Sequence, residues 1–150
     1  MEVTSVGVRL DQINIVVRDM EAMSGFYRRL GLQIAAPSDE WAAHHRTEVG
    51  EDKGDVLDFD LDSQEFARVW NAGWPGGPGV VLTFRVESRD DVDHLYSDLA
   101  SAGYRTQQPP YDTFWGARFA VVADPDGNSV GLMSHADPAR ATAAPSPPSE

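Results

Sequence analysis

Cysteine is absent from the 150 residues, which removes disulfides, thiolate nucleophiles, thiolate zinc sites and iron–sulfur clusters from consideration. No apolar run approaches the roughly 20 residues that span a bilayer. No basic segment followed by an apolar one stands near the start, so a secretory signal is not expected and a cytoplasmic protein is. Basic residues are scarce: 12 Lys and Arg stand against 24 Asp and Glu, a formal net charge of −12. Such a chain repels nucleic acid and anionic membrane surfaces, and neither is expected as a partner. The charge serves solubility first and the attraction of a small cation second. Also missing are a G-x-S-x-G elbow, a P-loop, a dinucleotide fingerprint and an H-x-x-x-H spacing.

What is present is enough for one domain with a real core: hydrophobic content is 41%, and the polar C-terminal stretch lowers that figure. Two similar halves run along the chain. In the first, residues 10–17 alternate, with Ile13, Ile15 and Val17 on one face and Gln12, Asn14 and Val16 on the other. Asp19 is placed to cap a helix whose apolar positions are Met20, Met23, Phe26, Tyr27 and Leu30, and Gly31 stops it. Short strands are expected at residues 33–35, 42–49 and 56–61. In the second half, residues 80–86 form a strand and Ser88 is a cap candidate. Val92, Leu95, Tyr96 and Leu99 mark a helix that Gly103 ends. Strands are expected at residues 105–107, 118–123 and 129–133.

Each half reads β-α-β-β-β, which predicts an α+β fold: two βαβββ modules forming a curved mixed sheet around a cavity, with helices outside. The domain is expected over residues 1–135, with modules at about 8–65 and 79–134. Between them lies a linker, residues 66–78, and the stretch 70–79 is too rich in Gly and Pro for regular structure. Residues 136–150, mostly Ala, Pro and Ser, read as a disordered tail.

The segment from Trp115 to Met133 reads as a β-hairpin closed by Asp124-Pro-Asp-Gly-Asn128. Following such a repeat, it resembles the closing hairpin of the glyoxalase / bleomycin resistance / dioxygenase (vicinal oxygen chelate) superfamily, over roughly residues 8–134. Trp115-Gly116, Arg118 and the aromatic Phe119 look most like the metal-free drug-binding resistance proteins of the bleomycin and mitomycin types. Metal-using members converge four ligands, His or Gln, Glu, His and Glu, on the cavity face. By the resemblance these positions fall on Gln12, on Asp58 (with Asp60 on the same face), on Val81 and on Gly131. Val81 and Gly131 have no donor atom, so neither a metal nor another cofactor is expected. On strand 42–49 the neighbours His44 and His45 point to opposite faces, so at most one enters the cavity.

The expected occupant is instead a small molecule, aromatic or cationic and antibiotic-like, that is bound and sequestered. Aromatic residues concentrate in loops and short strands: Trp41, Trp70, Trp74, Tyr111, Phe114 and Trp115. Such rings bind flat or cationic ligands by stacking and cation–π contact. For Trp41, Trp70 and Trp74 a core or interface role stands equally. The resemblance implies that Trp115 stacks on the ligand. Gln12, Asp58 and Arg85 are expected to offer polar contacts. Either a bulge at Gly116 brings Arg118 beside Trp115, or Arg118 is a structural ion-pair partner. The alternatives are a divalent-metal-dependent lyase, isomerase or dioxygenase with rearranged ligands, or a metal-free enzyme using Asp58, His45 or Tyr111 as acid or base. The resemblance also implies a homodimer.

Overall fold

A computed structural model describes residues 7–34, 44–49 and 57–144, with the backbone alone for 44–49. The described residues fall into two compact units, one of residues 11–82 and the other of residues 83–144 together with the chain up to Leu10. Trp41 lies outside the described residues.

The first unit holds β1 (Arg9–Val17, entering from the other unit), α1 (Met20–Arg29), β2 (His44–Val49), β3 (Leu57–Ser63) and α2 (Gln64–Trp70). Strand β3 pairs antiparallel with β2 and parallel with β1. Asp19 caps α1 as its sequence suggests, its carboxylate accepting from the Ala22 amide at 3.0 Å. The apolar residues of β3 and the apolar stripe of α1 meet in one core: Val17, Ile34 and Leu61, with Ile15, Met20, Met23, Tyr27 and Phe59 against them. Burying side chains of this size stabilises by about 1.5–3 kcal/mol each.

The second unit repeats the plan in full. Strand β4 (Gly79–Arg85) crosses into it, followed by α3 (Arg89–Ser101), β5 (Thr106–Asp112), β6 (Arg118–Ala123) and β7 (Ser129–Met133). The order is β4-β7-β6-β5. Ser88 and Asp91 form a reciprocal capping box at the start of α3. Val86, Val92, Ala120, Val122 and Leu132 form the core beneath α3, with Leu95, Tyr96, Leu99 and Val130 packed on it. Alternation then turns Phe119, Val121, Gly131 and Met133 to the opposite face.

The α+β class therefore holds, and the exceptions are local. Gln33 and Ile34 lie in no strand; Ile34 is a core residue. The stretch expected to be a linker begins as helix α2. Ser63 caps it, accepting from the Phe66 amide at 3.1 Å, and Phe66, Ala67 and Trp70 are buried along it. Strand β5 runs through Pro109 and Pro110 to Asp112, beyond the expected end at residue 107, because β5 stands at the end of its sheet, where prolines are tolerated. Its pairing with β6 shifts register on either side of Gln108. The stretch expected to be disordered from residue 136 carries a 3₁₀ turn at Pro138–Arg140.

The hairpin turn depends on one carboxylate. Asp124 Oδ1 accepts from the amides of Asp126 (3.0 Å) and Asn128 (2.8 Å), and Oδ2 from the Asn128 side chain at 2.8 Å. These bonds, the Asn128 side chain foremost, hold the Asp124 pKa below the usual carboxylate value. A group depressed in this way stabilises the fold fully above its unfolded pKa, about 3.9, and loses the contribution as pH falls through the folded value. Asp124→Ala is expected to lower the thermal midpoint at neutral pH, followed by circular dichroism, and the gap to the parent chain should narrow progressively as pH falls below the unfolded value of about 3.9.

Candidate functional site

In the second unit an aromatic set gathers on the face turned away from α3. Register pairs Tyr111 with Phe119 and Phe119 with Met133 across β5, β6 and β7. Trp115, on the loop between β5 and β6, packs edge-on against Phe119 with ring centroids 5.8 Å apart, and against Phe114 at 5.0 Å. Tyr111 meets Phe119 at 6.3 Å. Phe119 is buried, whereas Tyr111, Phe114 and Trp115 are half-buried. Burial pushes the Tyr111 hydroxyl pKa well up, so it is neutral at physiological pH.

Beside this set, Gly131 lies where Thr83 and Phe119 close in. A Cβ on residue 131 would stand 2.6 Å from Thr83 Oγ1 and 3.0 Å from Phe119 Cε1. The neighbouring side chains thus occupy the space that a side chain at 131 would need. No donor-bearing side chain fits at 131, Val81 is apolar and fully buried, and among the described residues no group of three His, Asp or Glu side chains is placed to hold a metal. A metal of the four-ligand type does not fit these residues.

Four basic and acidic side chains fasten the loop that carries Trp115. Arg118 Nε donates to Asp93 Oδ1 at 3.1 Å, and its Nη1 to Asp112 Oδ1 at 3.2 Å. Arg89 pairs with Asp112 and donates to the Gly116 carbonyl at 3.2 Å. At Asp112 desolvation is the largest single effect and acts upward, but the Arg118 hydrogen bond, the two guanidinium charges and the Arg89 hydrogen bond together outweigh it, so its pKa lies below the usual carboxylate value. Arg118 thus makes ion pairs with Asp93 of α3 and Asp112 of β5. Inside the loop, Thr113 Oγ1 and the Ala117 amide bond at 3.0 Å, and the Gly116 amide donates to the Thr113 carbonyl at 3.1 Å.

The other expected residues are placed as follows. Arg85 is half-buried, and its guanidinium meets His135 Nδ1 at 3.2 Å. Trp70 is buried in the first unit, its ring 6.4 Å from that of Trp74. Trp74 Nε1 donates to the Gly77 carbonyl at 3.1 Å. Trp70 is thus a buried residue, while Trp74 is half-buried. Gln12 stands opposite Asp58 in the β1–β3 register, yet its amide nitrogen donates to Asp60 Oδ2 at 2.7 Å and to Asn14 Oδ1 at 2.8 Å. Asn14 in turn donates to Asp62 Oδ2 at 2.9 Å. Asp58, Asp60 and Asp62 share one buried face of β3. The pair expected to converge, Gln12 with Asp58, is a step in a longer polar ladder. Register sets His44 opposite Asp62 and His45 opposite Leu61.

Thr83, Phe119 and the residues that meet the loop from beyond 136 were not foreseen as site residues. For Phe119 the signal was available: one place past Arg118 on an alternating strand, it must face away from α3.

A family model described as the Glyoxalase/Bleomycin resistance protein/Dioxygenase superfamily matches residues 9–132. No curated protein matches the chain. Among solved structures, the chain is similar to a protein titled NAD-dependent benzaldehyde dehydrogenase from Legionella pneumophila (22% identity, TM-score 0.57, covering 82% of this chain and 96% of that one). It is similar to a Mn(II)-bound glyoxalase from Novosphingobium aromaticivorans (20%, TM-score 0.58, covering 83% and 38%). A third is a Streptomyces coelicolor methylmalonyl-CoA epimerase in complex with 2-nitronate-propionyl-CoA (20%, TM-score 0.56, covering 86% and 98%). At such identities the structures speak for the fold alone. The chain belongs to the glyoxalase / bleomycin resistance protein / dioxygenase superfamily.

The close approach at Gly131 gives a direct check. Gly131→Ala is expected to destabilise the chain by about 1–3 kcal/mol in denaturant unfolding, the cost of overpacking a filled core. Adding Thr83→Ala, which removes the nearest atom, should recover part of that loss. An unchanged midpoint for Gly131→Ala would mean that the position is open.

Proposed function

We propose that this chain binds a planar small molecule on the Trp115 face of the second unit and sequesters it without metal catalysis. The observation that carries the reading is the aromatic set: half-buried Trp115 and Tyr111 rest on Phe119, beside a ligand position of the superfamily where Gly131 admits no donor. A half-buried indole braced from below keeps its ring orientation fixed, and flat ligands gain dispersion and stacking on such a surface. Arg85, on β4, lies two strands from Phe119, with β7 between: the Val86 amide bonds the Met133 carbonyl at 2.9 Å, and Met133 pairs with Phe119. Its guanidinium is the group to meet an acceptor at the edge of the ligand.

The raised Tyr111 pKa favours binding over acid–base catalysis, because a hydroxyl that is hard to deprotonate is a poor base near neutrality. Gln12 and Asp58, in the other unit, are not required by this reading. The proposed protein is a cytoplasmic homodimer. Among the described residues no helix is long and apolar enough to cross a membrane.

The test is a titration of two flat probes, anionic naphthoate and cationic aminoacridine, by calorimetry and tryptophan quenching. At least one is expected to bind saturably at one site per chain, unaffected by EDTA, and about tenfold or more weaker in Trp115→Ala. Arg85→Ala should weaken naphthoate more than aminoacridine. Stoichiometric divalent metal in untagged protein, or binding indifferent to Trp115, overturns the proposal. Sedimentation should give twice the 16.4 kDa chain mass; a monomer overturns the dimer.

A further inference from the structure

The backbone on either side of Trp115 is bonded by the chain's own C-terminal segment. The Asp137 amide donates to the Gly116 carbonyl at 2.9 Å, and the Thr142 amide donates to the Phe114 carbonyl at 2.7 Å. The two acceptors flank Trp115, so these bonds limit rotation on both sides of the residue whose ring direction matters. The seat for the segment is cut to a glycine. Gly116 has φ +90°, and a Cβ there would stand 2.3 Å from the Asp137 carbonyl oxygen and 3.3 Å from the Ala141 amide nitrogen. No other residue type permits this approach without displacement.

The segment is stiffened before it reaches the loop. It leaves β7 through Ser134, whose amide donates to the Arg118 carbonyl at 2.9 Å, while Ser134 Oγ accepts from the Arg118 amide at 2.8 Å. The Asp137 side chain then caps the 3₁₀ turn, accepting from the Ala139 amide at 3.0 Å, and Arg140 lies 3.5 Å from its other oxygen. On the far side, Arg89 donates to the same Gly116 carbonyl. The carbonyl is held from two directions, by α3 and by the C-terminal segment.

We infer that residues 137–142 are a strap that sets the Trp115 loop, and that docking of the strap and occupation of the Trp115 face are thermodynamically coupled. A docked strap spares the ligand the entropic cost of ordering the loop, which raises affinity. By linkage, a ligand on Trp115 must stabilise the docked strap to the same degree. The coupling rests on the reading of the Trp115 face as the binding surface. The ordering of the loop does not.

Peptide-resolved hydrogen exchange of the full-length chain separates the two. Thr142→Pro deletes one strap donor at a place where the preceding residue, Ala141, already has the extended conformation (φ −67°, ψ 140°) that proline requires of it. Amides at 113–117 are expected to exchange about tenfold faster in this variant, while β6 and β7 keep their protection. Asp137→Ala, which uncaps the turn, should act in the same direction, and Thr142→Ala, which keeps the amide, should not. Unchanged exchange at 113–117 in Thr142→Pro, or an equal rise across β6 and β7, overturns the strap. Saturating naphthoate or aminoacridine, whichever binds, should slow exchange at 137–142 in the parent chain. If it does not while the first result holds, the coupling is wrong and the strap is structural alone. If neither probe binds, the binding-site reading fails and the coupling with it, while the exchange result still judges the strap.

Discussion

Thr83 and Phe119 both close in on Gly131 because that residue carries no side chain. A methyl group would already be too much, so the approach of these two side chains and the absence of one at 131 are the same constraint. It brings Phe119 to a position from which it supports both Trp115 and Tyr111. Interiors at crystal-like density transmit such constraints, since neighbours have no slack in which to absorb a change. The missing side chain at 131 and the aromatic surface are therefore linked in one patch of core.

The first unit manages the opposite material. Three aspartates occupy one face of β3, alternating with Phe59 and Leu61 on the other. Carboxylates out of water are costly unless hydrogen-bonded, and the amides of Gln12 and Asn14 on the parallel strand reach Asp60 and Asp62. Each amide bonds one step along from its register partner, which stitches the strands diagonally. A neutral amide satisfies a carboxylate without adding a second buried charge, whose desolvation often outweighs the attraction.

The sequence patterning made the main elements legible because each carried its own periodicity: α1 and α3 with their caps, β1, β6 and β7 with their alternation. It also showed that Trp115 stands at the head of the hairpin and that Val81 and Gly131 lack donors. What it hid has physical reasons. Helix α2 is two turns long, too short for a period to declare itself, and it was masked by the Gly- and Pro-rich run after it. The stretch beyond 136 has the composition of a disordered chain, but residues 137–142 are tied by backbone bonds to Phe114 and Gly116, which composition does not register. The crowding at Gly131 was invisible for a like reason: a missing side chain reads as space until its neighbours are placed.

The prolines of β5 have a further consequence. Successive residues of a strand direct their N–H groups to opposite sides. Pro109 and Pro110 have no N–H to offer, and they stand where the pairing of β5 with β6 shifts register. A strand from another molecule aligned along β5 would meet an irregular edge that lacks two donors. Sheet-to-sheet polymerisation at this edge is discouraged by the backbone itself, without help from any charged side chain.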